Sequence, residues 1–498
     1  MVGLVRKREA EASTEKNGHK RLKSIATSSF ILHSYAKLPD LNEYPQGKSE
    51  PLDIFVWGTG SMCELGLGPK SKEVKRPRLN PLLTSEVLGD TKIVDFSVGG
   101  MHVLALDGKG RLWSWGGNDS GVLGRDTSQA KEVLRDADGA EDDDDEDGEL
   151  NEEESTPKLV ENLPEIKGSK IVQVSATDNL SAVLYDNGDV YAWGCFRCNE
   201  GLLGFLRDEI KLQRTPLKIK ELKNIVQLAG GKDHLLALDA KGIVYAWGNG
   251  QQFQLGRRVI ERHRFRTLEP QQFGLYNIKY IASGDFHCFA IDHDYQVFAW
   301  GLNQYGQCAL TDVNGELEDG SLITKPTLIP ALSNKKIVKI VSGEHHALAL
   351  TDSGDVFSWG RYDMKEVGIP KDKLPESTFK DAHGQPRSVP VPTKLIFGVG
   401  EKEVKIKEIG TGSHHSFAIT DDGFVYAWGF ADTYGPGLGP LEEDVEKPER
   451  IVNTATKYYD IQLIDAGGQF SVSGGVKISD EDEAEDRIDK YDEIDGKD

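Results

Sequence analysis

Seven Trp-Gly pairs divide most of this 498-residue chain into repeats. Six of the tryptophans lie 13 residues after the end of a second signature, Gly-x-x-His or a degenerate copy of it. The gaps between successive tryptophans vary from 53 to 78 residues, so a rigid local unit is separated by loops of variable length. The tryptophans are Trp57, Trp115, Trp193, Trp247, Trp300, Trp359 and Trp428, and the second signature ends at His102, Leu180, His234, His287, His346 and His415.

Each repeat predicts four short strands. Alternating apolar residues on both sides of a turn such as Asp352-Ser353-Gly354 indicate a hairpin, because Asp and Gly suit tight turns. An apolar run such as residues 337–340 precedes the glycine and predicts an inner strand. A fourth strand opens after a proline, which suits a sheet edge where no ladder donor is needed. Four strands per repeat are typical of a propeller blade. The prolines are Pro77, Pro157, Pro216, Pro270, Pro326, Pro392 and Pro448.

The first and last repeats are incomplete in complementary ways. Trp57 has no Gly-x-x-His before it, and the last glycine-rich copy, residues 467–470, has no Trp-Gly after it. Pairing these two halves in one sheet removes the free edges that an open array would expose. We therefore predict an all-β fold, a seven-bladed β-propeller of four-stranded blades over residues 51–478, closed by pairing the N- and C-terminal strands in one blade.

The net charge of −22 is concentrated in two acidic segments. Residues 136–154 contain 13 acidic and no basic residues, and residues 479–498 contain 11 acidic and three basic residues. Such runs bury too little apolar surface to offset chain entropy. We therefore predict a disordered acidic loop insertion at 136–154 and a disordered acidic tail at 479–498.

Residues 1–50 predict a basic, largely flexible arm. Two basic clusters separated by eleven residues are typical of a two-part nuclear import signal, and equally of an arm that neutralises DNA phosphates. A solvated tail with neither role is the alternative. The absence of a signal-peptide core, of a membrane-length apolar run and of an even cysteine count indicates an intracellular, reducing compartment. The cluster residues are Arg6, Lys7, Arg8, Lys20, Arg21 and Lys23.

Patterns that would indicate an enzyme, a metal or a cofactor are missing. The sequence has no phosphate-binding Gly-Lys-Ser/Thr loop and no nucleophile elbow. Adjacent histidines such as His345 and His346 point to opposite sides of a strand, which disfavours zinc. Cys195 and Cys198 have redox spacing but no second pair. We therefore predict a protein that is not an enzyme and holds no cofactor or metal.

The loops around the repeats resemble the regulator of chromosome condensation family, the exchange factors for the Ran small GTPase. The resemblance runs through all seven repeats, and the basic head and acidic insert resemble fungal members. It implies that the protein promotes GDP release from a Ran-type GTPase in the nucleus, supporting nucleocytoplasmic transport and mitosis. It also implies binding to chromatin DNA and histones through the arm, and to an importin. The segments that carry it are residues 99–102, 118–128, 196–201, 232–234 and 254–257.

The resemblance further implies a two-stranded wedge at residues 195–204, which occupies space that the nucleotide's phosphates and magnesium require. Its residues are Phe196, Arg197, Cys198, Asn199, Glu200 and Gly201. The positions carried over for GTPase binding are His102, Asp178, Asp233, Arg257 and His346. A histidine that recurs in every repeat can equally be structural. The alternative function is a propeller scaffold without exchange activity, and a projecting wedge is the feature that distinguishes the two.

Overall fold

The computed structural model describes residues 39–128, 148–207, 210–311, 321–398 and 404–495. Residues Leu41–Asp498 form one unit, and Met1–Asp40 form another, of which only Pro39 and Asp40 are described. The predicted import-signal or DNA-binding residues Arg6, Lys7, Arg8, Lys20, Arg21 and Lys23 lie outside the described residues. So does the acidic insertion from residue 136 to residue 147.

Seven antiparallel sheets follow one another around a central channel. We number them as blades 1 to 7, starting from the sheet that contains the first Trp-Gly pair. The inner strands, which line the channel, are Tyr459–Ala466, Ile93–Val98, Ile171–Ala176, Ile225–Gly230, Ile278–Ser283, Ile337–Ser342 and Ile406–Thr411. The second strands are Phe470–Lys477, His102–Asp107, Leu180–Tyr185, His234–Asp239, His287–Asp292, His346–Thr351 and His415–Thr420. The third strands are Asp53–Thr59, Leu112–Gly116, Val190–Gly194, Val244–Gly248, Val297–Leu302, Val356–Arg361 and Val425–Gly429. The outer strands are Glu73–Leu79, Lys158–Leu159, Gln213–Lys218, Gln271–Gln272, Leu322–Leu328, Pro386–Lys394 and Val445–Arg450.

Blade 1 closes the ring with both ends of the propeller. Its third strand, Asp53–Thr59, pairs with its second strand, Phe470–Lys477, in a register that places Asp53 opposite Gly475. The predicted seven-bladed propeller and its mode of closure are confirmed. Pairing the two ends completes blade 1 as a four-stranded sheet, so neither end of the ring is left as an exposed partial blade.

The prolines lie in the outer strands, but most of them do not open these strands as predicted. Only Pro157 and Pro270 immediately precede their strands, and the other five lie inside the outer strands. A proline inside a strand is tolerated at a sheet edge, where its missing N–H would face solvent. In blades 1, 3, 5, 6 and 7 the pairing of the third strand with this edge shifts register, as between Ala299 and Gly301.

The repeated histidine and tryptophan join neighbouring blades. His102 of blade 2 contacts the Ser181 hydroxyl of blade 3 at 2.8 Å, and that hydroxyl donates to the Val122 carbonyl at 2.8 Å. The same carbonyl accepts a hydrogen bond from the Trp193 indole N–H at 2.7 Å. One buried network therefore joins the histidine of one repeat to the tryptophan of the next, while the fixed 13-residue offset within a repeat is set by the hairpin that pairs His102 with Gly116. Equivalent indole bonds link Trp57 to Gly435, Trp115 to Glu64, Trp300 to Gln254, Trp359 to Gln307 and Trp428 to Glu366.

The segment that precedes blade 1 is ordered from residue 41, although the sequence predicted a flexible arm up to residue 50. The backbone N–H of Leu41 donates to the Ala240 carbonyl at 2.7 Å, at the hairpin turn of blade 4. The Asn42 amide donates to the Ile278 carbonyl at 2.9 Å. The Lys48 ammonium enters the channel and pairs with Asp95 at 2.7 Å. Backbone and ion-pair contacts thus hold this polar segment in place. It has too few apolar residues for the sequence to predict that it is ordered.

The C-terminal acidic segment is a helix, and the predicted disorder is wrong for it. Residues Glu481–Asp495 form an α-helix whose Ala484, Tyr491 and Ile494 are buried. Arg450, in the outer strand of blade 7, is buried and pairs with Asp492 and Asp495. The three apolar side chains lie on one helical face and are buried together, and the buried Arg450 guanidinium pairs with two of the helix's acids. Both effects offset the negative charge on which the prediction of disorder rested.

The remaining helices are short. They are the 3-10 helices Pro81–Leu83, Glu261–Leu268, Pro330–Leu332 and Lys371–Lys373, and the α-helices Ser85–Leu88 and Glu152–Ser155. The last of these begins inside the acidic segment 136–154, so the predicted disorder does not extend to the end of that segment. None of the helices in the described ranges is long and apolar enough to cross a membrane.

Candidate functional site

One side of the ring collects the loops that carry both repeat signatures. In each blade the start of the second strand pairs with the end of the third, as His234 does with Gly248 and His346 with Gly360. The glycine-rich loops before the second strands and the loops after the Trp-Gly pairs therefore open on the same side. We call this side the loop face.

A separate two-stranded hairpin rises from the loop face in blade 3. Phe196–Cys198 pairs with Gly201–Gly204, and the turn between them holds Asn199 and Glu200. Arg197, Asn199, Glu200 and Leu202 are exposed. We call this hairpin the wedge, since it coincides with the predicted element.

Phe196 is the exception among the predicted wedge residues, because it does not project. Its side chain is only 1% exposed and packs beside Gly248 of blade 4. A Cβ atom added at Gly248 would lie 2.7 Å from the ring of Phe196, so the glycine makes this close approach possible. Phe196 thus anchors the wedge in the core of the ring.

Polar contacts with blades 3 and 4 hold the base of the wedge. The Asp233 carboxylate accepts hydrogen bonds from the Arg197 backbone N–H at 3.0 Å and from the Asn179 amide at 3.1 Å. The backbone N–H of Cys195 donates to the Asn179 carbonyl at 2.8 Å. Burial raises the pKa of Asp233, and the bond from Arg197 opposes that rise. Asp233 therefore orients the wedge directly.

The tip of the wedge is held by Gln251, which the sequence did not single out. The Gln251 side chain accepts from the Asn199 backbone N–H at 2.9 Å and donates to the Glu200 carboxylate at 3.0 Å. Arg264 approaches the same carboxylate at 3.6 Å. Gln251 lies in blade 4, in the loop after the fourth Trp-Gly pair. It reaches residues 199 and 200 of blade 3 only because the two blades pack side by side.

Asp178 lies in a ring of residues at the mouth of the channel. The backbone N–H of Asp178 donates to the Lys232 carbonyl, and that of Lys232 donates to the Asp285 carbonyl, both at 3.2 Å. The Lys232 ammonium lies 3.5 Å from the Asp178 carboxylate. Burial raises the pKa of Asp178 and of Asp285, and Lys232 opposes the rise. Across the channel mouth from Asp178, the Glu344 carboxylate lies 3.2 Å from Nε2 of the His414 ring.

His102 and His346 do not reach the surface of the loop face, so the predicted contact with a partner is not available to either side chain in this structure. Both side chains are fully buried. The His346 ring contacts the Ser416 hydroxyl at 2.8 Å, as His102 contacts Ser181. Burial lowers the pKa of His102 to about 3 and that of His346 well below its usual value, so both are neutral. The structural interpretation of the recurring histidine applies to both.

Arg257 supports its own loop. One guanidinium nitrogen donates to the Ala246 carbonyl at 3.1 Å and to the Leu255 carbonyl at 3.4 Å. Burial lowers the pKa of this guanidinium to about 10. The side chain is only partly exposed.

The predicted wedge segment, residues 195–204, contains two cysteines, whose surroundings bear on metal binding and redox chemistry. Within the described ranges, no group of three His, Cys, Asp or Glu side chains is placed to hold a metal ion. Cys195 and Cys198 are both free thiols, and burial raises the pKa of each. A raised pKa lowers the thiolate fraction on which thiol reactivity depends.

The family profile described as RCC1-like domain matches residues 53–473. The chain belongs to this family. Protein RCC1 of Candida albicans is 71% identical over 472 residues, covering 93% of this chain and 100% of the relative. Guanine nucleotide exchange factor SRM1 of Saccharomyces cerevisiae is 57% identical over 451 residues, covering 89% of this chain and 91% of the relative.

Solved structures of RCC1-like proteins agree with the architecture. The crystal structure of Prp20p from Saccharomyces cerevisiae, described with its binding to Gsp1p and histones, has a TM-score of 0.81 and 54% identity. The match covers 91% of this chain and 97% of Prp20p. Yeast RCC1 (Prp20) bound to Kap60 gives a TM-score of 0.81 and 51% identity, covering 98% of this chain and 100% of that one.

Proposed function

We propose that this protein is a guanine nucleotide exchange factor that promotes GDP release from a Ran-type small GTPase. The single observation that carries the proposal is the wedge, a braced hairpin that stands on the loop face of an RCC1-like ring. The 57% identical yeast relative is named as a guanine nucleotide exchange factor. A scaffold without exchange activity would need no element that enters the nucleotide-binding region of its partner.

The wedge is suited to act by occupying space. Arg197, Asn199, Glu200 and Leu202 are exposed on it, while its base is held by Asp233 and its tip by Gln251. Because the hairpin is already ordered, inserting it into a partner costs little conformational entropy. It displaces the phosphates and magnesium of the bound nucleotide without bond chemistry on the exchange factor.

Exchange by this route is reciprocal. If the docked protein lowers the affinity of the GTPase for nucleotide, nucleotide lowers the affinity of the GTPase for the protein by the same ratio. The direction of exchange therefore depends on the nucleotide pool. The acids and imidazoles at the channel mouth, such as Asp178, Glu344 and His414, supply orientation and fast encounter with a basic partner surface.

Release of a fluorescent GDP analogue from a Ran-type GTPase tests the proposal. The full chain should accelerate release, and a variant with residues 198–202 replaced by a two-residue turn should lose the acceleration while keeping its melting temperature within a few degrees. Retention of nucleotide in a stable complex with the full chain would instead support the scaffold function.

We infer that the protein works on chromatin in the nucleus. The basic arm carries the two clusters of an import signal, and the yeast relatives were described with histones and with Kap60. Deleting residues 1–25 should reduce nuclear accumulation of a fluorescent fusion and weaken DNA binding at low salt. Unchanged location and DNA affinity would favour the solvated-tail alternative.

A further inference from the structure

Blade 6 carries a second hairpin on the loop face. In the loop after Trp359 and Gly360, Phe379–Lys380 pairs with the start of Pro386–Lys394. The Asp381 carboxylate accepts from the backbone N–H groups of His383 and Gln385, both at 2.8 Å, which fixes the turn. We call residues 379–388 the blade 6 hairpin. It follows the third strand of its blade, as the wedge does, and so rises on the same face.

The blade 6 hairpin and the wedge stand across the channel mouth from each other. They belong to blades 3 and 6, which are separated by blades 4 and 5 in a ring of seven. A protein that sits over the channel mouth and contacts the wedge therefore extends toward the blade 6 hairpin. The ring of Asp178, Lys232, Asp285 and Glu344 lies between the two hairpins.

Contacts with blade 7 brace the blade 6 hairpin. The Tyr362 hydroxyl donates to the Glu446 carboxylate at 2.8 Å, and the Lys371 backbone N–H donates to the same oxygen at 3.1 Å. The Lys371 ammonium then donates to the Gln385 side chain at 3.1 Å, close to the turn. The hairpin is therefore held in place before any partner arrives.

A concavity of about 580 Å³ lies between the blade 6 hairpin and Tyr305 of blade 5. Two guanidinium groups lie over the Tyr305 ring, that of Arg387 at 5.2 Å and that of Arg361 at 5.5 Å. Arg361 pairs with Asp363 at 3.2 Å. Arg387 is exposed, and among the described residues no acidic side chain forms an ion pair with it. Stacking on an aromatic ring leaves the planar donors of an arginine free for a carboxylate.

The acids that line the concavity are already engaged. Asp381 accepts two backbone N–H groups of its own turn, and Asp363 is paired with Arg361. The lining carries three cations, Lys365, Lys371 and Arg387, against the two acids Asp363 and Asp381, so its net charge is positive. A nucleotide phosphate is an unsuitable occupant, because the wedge that would meet the nucleotide lies across the channel mouth.

We propose that this concavity binds a carboxylate-bearing segment of the docked GTPase, with Arg387 as the principal contact. The proposal rests on the proposed function. It makes the blade 6 hairpin a docking element that sets affinity and encounter rate, while the wedge acts on the nucleotide.

Exchange kinetics with Arg387→Glu test the proposal. A GTPase loaded with a fluorescent GDP analogue should show a KM about tenfold higher, with kcat within about twofold, because a charge on the interface rim acts on encounter and affinity. The KM of the variant should also depend less on salt. Arg387→Ala should also raise KM, but by a smaller factor.

Lys325→Glu is the matched control. Lys325 is exposed on the outer strand of blade 5 and does not line the concavity, so the same charge reversal there should leave KM unchanged. If the unmodified protein accelerates release but Arg387→Glu has the KM of the control, this inference fails and the exchange function stands. If the unmodified protein does not accelerate release, the proposed function itself fails.

Discussion

The Asp233 carboxylate accepts a hydrogen bond from the Arg197 backbone N–H at 3.0 Å. The two residues belong to neighbouring blades, since Asp233 lies in the glycine-rich loop of blade 4 and Arg197 in the wedge of blade 3. The same carboxylate oxygen accepts the Asn179 amide at 3.1 Å. An acid that the family resemblance predicted to be a docking residue is thus placed to position the wedge.

Asp233→Ala should slow exchange by about tenfold or more, because a charge-assisted hydrogen bond at the base of the wedge is lost. Release of labelled GDP from the GTPase measures the effect, with circular dichroism to confirm folding. Asp233→Asn keeps an acceptor oxygen and should retain most of the activity. Equal losses in both variants would indicate that the negative charge, rather than the position of the wedge, is what matters.

Trp193→Phe should destabilise the protein by about 1 kcal/mol more than Trp247→Phe. The Trp193 indole donates to the buried Val122 carbonyl, whereas Trp247, among the described residues, makes no indole hydrogen bond. The loop of blade 3 that would supply its acceptor is replaced by the wedge. Both substitutions remove the same side-chain volume. The difference between their free energies of unfolding in urea therefore reports the contribution of the indole hydrogen bond. Equal free energies of unfolding would refute this account.

His346→Ala should lower the free energy of unfolding by about 1–3 kcal/mol, because the buried Ser416 hydroxyl loses its partner and a cavity forms. The KM for the GTPase should stay unchanged in the folded fraction. His414→Ala is the comparison, since this histidine is partly exposed beside Glu344 and its removal should raise KM with little loss of stability. A raised KM for His346→Ala would restore its predicted docking role.

Glu366→Gln should flatten the pH dependence of stability. Burial raises the pKa of Glu366 to about 8, well above its unfolded value, so the folded state holds a proton that the unfolded state loses. The free energy of unfolding that this bound proton contributes is fully present below about pH 4.5. It is lost as the pH rises to about 8, by at most about 1.4 kcal/mol per pH unit. The Gln254 side chain accepts a loop N–H at 2.8 Å in the equivalent loop of blade 4, so glutamine fits here. Urea unfolding at pH 5 and pH 8 measures the effect. The free energy of unfolding of the variant, relative to that of the unmodified protein, should be higher at pH 8 than at pH 5.

Removing the apolar contacts of the C-terminal helix should destabilise the ring without affecting exchange. Tyr491→Ala combined with Ile494→Ala should cost several kcal/mol, since both side chains are buried against blades 6 and 7. Asp482→Ala, at an exposed position of the same helix, is the control and should change little. Unaltered thermal unfolding of the double variant would show that the helix is dispensable for stability.

The sequence predicted the ring because its information is local and repeated. The offset between His102 and Trp115 recurs in every complete repeat, and each copy reports the same hairpin. The complementary ends around Trp57 and Phe470 predicted closure. The C-terminal helix was missed because its high charge outweighed three apolar residues whose burial depends on Arg450, which lies 31 residues before the start of the helix.

The number of blades and their closure were therefore predicted from the sequence alone, since they depend on a repeated local pattern and on the half that each end of the chain lacks, whereas the position of the wedge in the chain came from the family resemblance. Tertiary structure alone decided which polar residues are exposed on the loop face. His346 occupies the same signature position as the other repeat histidines, and only the packing of blade 7 beside blade 6 buries its ring against the Ser416 hydroxyl. Gln251 and Asp233 reach the wedge, and Arg387 reaches Tyr305, only because adjacent blades pack side by side, and no local pattern in the chain encodes that packing.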